Sequence, residues 1–225
     1  MKQPLLSHEW VDALTSHSIT AATISDLVAH AYAVRGMTSP AEGDVFAAYN
    51  STPLSNVRVV IVGQDPYPNS RNATGLAFST GSRGPVTNAL DAIYTNLASD
   101  PSFVAPNHGD LTKWASRGAL LLNTALTLSP ASLATRCALW GPMLGASLRA
   151  ISQLDRPVPV ILLGSRAFEL RRWVTDPEAV KPTGHPTPRN RVARQFPLFE
   201  KSRPFYDANH YLVSRGEMPF DWSLA

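Results

Sequence analysis

A chain of 225 residues suits one α/β domain with a substantial core, here taken as residues 1–225. Hydrophobic residues at 44% and charged residues at 16% describe a globular protein, not a disordered one, and no apolar run approaches the roughly 20 residues of a membrane span. The opening MKQPLLSHEW lacks an apolar stretch fit for a signal peptide, so a soluble, cytoplasmic protein is expected. The formal net charge of +3 hides an asymmetry. Residues 1–50 are acidic, whereas residues 156–215 hold nine Arg and two Lys against five acids, which points to a polyanionic partner unless it is simply a solvated face.

Ser7 is placed to cap a first helix running to about His17, and Thr20–Val34 reads as a second, stopped by Gly36. Ser39-Pro40 opens a third, AEGDVFAAYN. The pattern then changes. Val57–Val62 (VRVVIV) is a β-branched run ended by Gly63 and reads as a buried strand. Thr87–Leu97 is an amphipathic helix, Leu111–Ser116 a short one, and Ala119–Asn123 (ALLLN) a second strand. Trp140–Leu154 is helical, Val158–Leu163 (VPVILL) is a third strand, and Ser165–Trp173 is helical again. A short fourth strand near Val180 leads into GHPTP, and Ser202–Ser214 is the last helix before the tail FDW.

Strands alternating with helices predict a three-layer α/β/α fold around a central, mainly parallel four-stranded sheet. Such sheets bind ligands at the carboxyl ends of their strands. Here those ends are Gly63-Gln64-Asp65, Asn123-Thr124, Gly164-Ser165 and Gly184-His185, all polar or turn residues. Pattern alone therefore gathers the candidate chemistry on one edge. No strand is followed by G-x-G-x-x-G or a phosphate-binding loop, which disfavours a nucleotide-binding domain. Cys137, the lone cysteine, allows no disulfide or iron–sulfur cluster and reads as a buried inert thiol, and the six His show no metal-ligand spacing. Neither a metal nor a cofactor is expected.

The segment VIVGQDPYPNSRNATGLAFS (Val60 to Ser79) is the most specific feature. It closely resembles the GQDPYH loop and following GL-x-FS of family 1 uracil-DNA glycosylases. His108–Leu128 (HGDLTKWASRGALLLNTALTL), VILLGSRA, GHPTP and PFYDANHYLVSRGEMPFDW are similar, in order, to that family's later segments. The resemblance implies a monomeric enzyme that removes uracil from DNA and starts base excision repair. It further implies that Asp65 orients the attacking water and supplies negative charge near the sugar cation. His185 would donate to O2 of the departing base, assisted by Gln64. Phe78 would stack on the flipped uracil, Asn123 would read its Watson–Crick edge, and Tyr67 would exclude a thymine methyl. Ser165 and the loop residues Pro188, Arg189 and Arg191 would contact DNA. The match departs at Pro68 (usually His), at LATRCALW in place of the family's SH-x-x-x-GW segment, and at Arg189 where a leucine enters the base stack. The loop from Arg189 to Phe199 is also longer, so it is expected to hold DNA by charge and to be gripped poorly by DNA-mimicking inhibitor proteins. A relative with wider base specificity and a non-catalytic uracil- or DNA-binding protein remain as alternatives.

Overall fold

A computed structural model describes residues 6–33, 38–82, 84–187 and 196–224. Four strands form a single sheet in the order β2-β1-β3-β4, all neighbours parallel: β1 (Val59–Gly63), β2 (Ala119–Asn123), β3 (Val160–Leu163) and β4 (Val180–Thr183). Val59 to Val62, Ala119 to Leu122 and Val160 to Leu163 are buried on both faces, as continuous apolar runs in a parallel sheet require. Register fixes where the strands stop. Gly63 lies beside Asn123, and Leu163 beside Thr183, so the four carboxyl ends reach one edge together.

Helices cover the sheet in a three-layer α/β/α arrangement. α1 (His8–Thr15) and α2 (Ala21–Ala33) pack on α6 (Leu133–Ile151); α3 (Ala47–Ser51) and α5 (Thr112–Ser116) lie on β2; α8 (Pro204–Ser214) lies on β3 and β4. α4 (Asn88–Leu97) buries Leu90, Ile93, Tyr94 and Leu97 at helical spacing, and α7 (Ser165–Phe168) follows β3. Each deeply buried indole of Trp10, Trp114 and Trp140 has a partner for its N–H: the Thr52 carbonyl at 3.0 Å, the Trp222 carbonyl at 2.8 Å and the Thr127 hydroxyl at 2.8 Å. The FDW tail belongs to this core, with Trp222 edge-on to Trp114 at 5.4 Å and to Phe205 at 5.0 Å between ring centroids.

Several expected boundaries move. The third helix is broken into a 3-10 turn at Glu42–Asp44 and the short α3, with Pro40 left outside both. Gly43 weakens a continuous helix there, and Val45 and Phe46 turn into the core between the two pieces. α6 begins at Leu133 and not at Trp140, because the Ser132 hydroxyl accepts the Thr135 N–H at 3.1 Å and caps the helix seven residues earlier. Gly141 carries no Cβ to meet the ring of Pro142, so the helix runs through the proline just beyond the expected start at Trp140. The segment expected as one helix from Ser165 to Trp173 changes to 3-10 geometry at Glu169, and the last helix starts at Pro204 after a 3-10 turn at Phe199–Lys201. Ser7 stands at the first cap but makes no capping bond, whereas the Thr20 hydroxyl accepts the Thr23 N–H at 3.2 Å before α2. Val34 and Gly36, the expected end and stop of that helix, lie outside the described residues. Cys137 is half-buried, with its Sγ 3.5 Å from the Thr124 hydroxyl.

Candidate active site

The site grows from the end of β1. A Cβ built on Gly63 would stand 2.6 Å from Asn123 Oδ1 and 2.9 Å from Phe78 Cζ, so only glycine lets both side chains close over the strand. The chain leaving β1 is stapled to the end of β2. The Gln64 carbonyl accepts the Ala125 N–H at 3.1 Å and the Thr124 hydroxyl at 2.6 Å, and the Gly63 carbonyl accepts the Thr124 N–H at 3.0 Å.

Beyond Pro66 the loop folds back on itself. The Tyr67 hydroxyl donates to the Phe78 carbonyl at 2.9 Å and meets the Thr87 hydroxyl at 2.9 Å. Phe78 sits at φ +65, a left-handed backbone costly for an aromatic residue by about 1–3 kcal/mol. The Tyr67 bond and an Ala77 N–H to Leu121 carbonyl bond of 3.0 Å hold it there. Burial pushes the Tyr67 hydroxyl above its ordinary 10.0, with the Thr87 bond opposing, so the phenol is neutral near pH 7.

His185 comes from the opposite flank, after β4. Its Nδ1 accepts the Thr187 N–H at 3.0 Å, so the neutral ring carries its hydrogen on Nε2. Burial lowers its proton affinity below the ordinary 6.5, and the negative charge of Asp65 works the other way. Gly164, at φ +98, brings the end of β3 against the His185 Cβ; a Cβ there would lie 3.2 Å away. The Phe78 and His185 ring centroids are 6.3 Å apart.

These elements enclose a cavity of about 300 Å³ lined by Gln64, Asp65, Tyr67, Phe78, Asn123 and His185, with Pro68 and Ala73–Leu76 on the loop side. Its size is that of a small-molecule pocket. Six of the expected site residues thus meet in one place. Ser165 does not line it; it stands exposed at the start of α7, next to Gly164. Pro188, Arg189 and Arg191 lie outside the described residues. A wider groove of about 620 Å³ reaches His185 from the far side, between α4 and residues 198–203, but holds none of the other five.

Arg136 is the residue that sequence reasoning missed. From α6 its Nη1 donates to Asp65 Oδ2 at 3.0 Å, and its Nε donates to the Ala131 carbonyl at 3.1 Å. The ion pair joins residues 71 positions apart, and its only sequence signal is that Arg136 falls in LATRCALW, one of the segments where the match departs. The other Asp65 oxygen, Oδ1, accepts the Gln64 amide at 3.3 Å. Elsewhere some of the basic half is committed to the fold. Arg156 donates to the carbonyls of Leu54, Ser55 and Val57, Arg166 pairs with Glu169 at 3.1 Å, and Arg215 pairs with Asp176 at 3.2 Å and Glu178 at 2.8 Å. The charge asymmetry therefore overstates the free cations available to a polyanion. Among the described residues no three His, Cys, Asp or Glu gather as metal ligands, and no helix is long and apolar enough to cross a membrane.

The profile of the Uracil DNA glycosylase superfamily matches residues 49–213. A uracil-DNA glycosylase of Nocardioides sp. is 36% identical over 222 residues, covering 98% of this chain and 94% of that protein. One from Streptococcus thermophilus is 40% identical over 191 residues, covering 83% and 84%. Among solved structures, mimivirus uracil-DNA glycosylase superposes with a TM-score of 0.80 at 25% identity, over 98% of this chain and 88% of that one. A variant of the mimivirus protein, equally similar, was solved in complex with UGI.

Proposed function

Because the chain belongs to the uracil DNA glycosylase superfamily, we propose that it hydrolyses the N-glycosidic bond of deoxyuridine in DNA, releasing uracil and leaving an abasic site for base excision repair. The observation that carries this reading is the convergence of Asp65, Tyr67, Phe78, Asn123 and His185 on one cavity at the carboxyl edge of the sheet.

A base stacked in a duplex is out of reach, so it must swing into the pocket, where the Phe78 ring stacks on it. The Asn123 amide oxygen accepts from uracil N3–H, and its NH₂ donates to O4. Cytosine presents the reverse pattern, and both bonds fail. The Tyr67 ring faces C5 and leaves no room for a methyl group. As the bond from N1 to C1′ breaks, its electron pair stays on uracil and the sugar becomes cationic. Asp65 orients a water and accepts its proton as the oxygen bonds to C1′, while the proton finally rests on the released uracil. His185, neutral and carrying its hydrogen on Nε2, donates to the negative O2. A donor of that kind lowers the barrier by roughly 2.7–4 kcal/mol in comparable oxyanion sites.

On the same reading the enzyme acts as a monomer on uracil-containing DNA in the cell interior. Ser165, Pro188, Arg189 and Arg191 contact the DNA, Ser165 at a phosphate and the arginines by charge. Losing the Arg189 contact should flatten the salt dependence of binding by a log–log slope of roughly 1. The deciding assay is uracil release from an oligonucleotide with one deoxyuridine, in EDTA, beside thymine, cytosine and hypoxanthine controls. Binding without release would leave a non-catalytic protein, and release of several bases a broader glycosylase.

A further inference from the structure

Arg136 occupies a place that local physics disfavours. It is the fourth residue of α6, where the positive end of the helix dipole opposes a cation, and its side chain is only 9% exposed. A buried guanidinium without a counter-charge costs several kcal/mol, so something must hold it there. That partner is Asp65, whose side chain is 22% exposed at the pocket. Over the whole of α6 the only other charged residue is Arg149, thirteen positions on.

The geometry divides the two carboxylate oxygens. Oδ2 is taken by Arg136 at 3.0 Å, and Arg136 is itself fixed by its Nε bond to the Ala131 carbonyl, just before the Ser132 cap of α6. Among the described residues Oδ1 accepts only the long Gln64 contact of 3.3 Å, and it keeps lone-pair capacity for a water. Without the clamp the carboxylate plane could turn about its last torsion, which has broad, shallow preferences. We infer that Arg136 is the positioning residue of the site: it fixes the Asp65 carboxylate through Oδ2 so that Oδ1 is aimed at the attacking water. The inference rests on the glycosylase reading and on Asp65 as the water-orienting group. It also shifts the work of Asp65 toward orientation, because the guanidinium offsets much of the negative charge that the sugar cation would otherwise feel.

A double-mutant cycle tests it, using single-turnover uracil release and the affinity for uracil-containing DNA in each protein. Arg136→Met should slow the chemical step roughly 10- to 100-fold, the scale of a misaligned catalytic group, with binding unchanged within about twofold. Arg136→Lys, which keeps a cation on Oδ2, should recover part of the loss. In an Asp65→Asn background, Arg136→Met should cost less than about twofold more, because the group it positions is gone. Should Arg136→Met not fold by circular dichroism, the same cycle run with Arg136→Lys decides. Equal losses from Arg136→Met in both backgrounds, or losses that Lys does not relieve and that track melting temperature, would make Arg136 a structural ion-pair partner and overturn the inference. A wild-type rate in Arg136→Met would overturn it while the glycosylase reading stands. No uracil release by the wild-type chain, or a wild-type rate in Asp65→Asn, would remove the underlying reading and the inference with it.

Discussion

The hydroxyls of Tyr67 and Thr87 meet at 2.9 Å, and the same Thr87 oxygen accepts the Leu90 N–H at 3.3 Å as the cap of α4. With the Tyr67 hydroxyl donating onward to the Phe78 carbonyl, one chain of hydrogen bonds ties α4 to both aromatic walls of the pocket. The ring proposed to turn away thymine is thus held at its far end by a helix cap.

Thr87→Val keeps the shape and removes that oxygen. The lost cap should destabilise the fold by about 1 kcal/mol, and the freed Tyr67 ring should give ground to a 5-methyl group. Detectable thymine release, absent in the wild type, is the expected result, with Thr87→Ser behaving like wild type. Thermal melts and base-release assays would be read together. Unaltered discrimination in Thr87→Val would show that packing alone fixes Tyr67.

Gly63→Ala probes the closeness of the pocket floor. The new methyl would have to stand 2.6 Å from Asn123 Oδ1 and 2.9 Å from Phe78 Cζ, so both side chains must move. Loss of the uracil-edge bonds should lower kcat/KM by roughly 10²-fold, while the strand keeps its backbone pairing and the fold survives. A variant with normal kcat/KM would mean that Asn123 and Phe78 do not bind the base.

Base choice should be editable at two further positions. Tyr67→Ala opens room beside C5 and should admit thymine; Asn123→Asp offers a protonated or water-bridged carboxyl and should admit cytosine. Release of thymine and of cytosine from matched oligonucleotides measures each. Finding neither would locate base reading in other residues.

Which of these residues could be found without a structure follows from where their partners lie in the chain. VRVVIV, ALLLN and VPVILL declare strands because β-branched and apolar runs suit a sheet buried on both faces, and their polar ends already marked one edge. Gln64, Asp65, Tyr67, Asn123 and His185 were legible because they sit within a residue or two of those ends or in motif context. Arg136 was not: its partner is 71 residues away, and its helix was expected to start only at Trp140. Thr87 reads in sequence only as the first residue of an amphipathic helix; it is the cap of that helix, and its second bond crosses to Tyr67, 20 residues earlier. The phosphate-contacting role expected for Arg189 and Arg191 falls outside the described residues, so the cavity accounts for the base and not for the rest of the DNA.

His185 makes the stability of the fold depend on pH. Its Nδ1 is engaged as an acceptor by the Thr187 N–H, and burial holds its proton affinity below 6.5, against the pull of Asp65. Protonation would place a hydrogen on Nδ1 and break the Thr187 bond. Between the lowered folded value and 6.5 the unfolded chain therefore binds more protons than the folded one, and stability rises with pH across that window. The contribution is fully present above 6.5, declines as pH falls toward the folded value, and is level below it. His185→Gln removes this titration and leaves the others in place. The melting-temperature difference, wild type minus variant, should thus be constant above pH 6.5 and shrink below it. In the wild type, the His185 ring resonances should titrate with a midpoint below 6.5, and the neutral form should carry its hydrogen on Nε2. A difference that grows on acidification, or a midpoint above 6.5, would mean that Asp65 outweighs burial at the His185 ring.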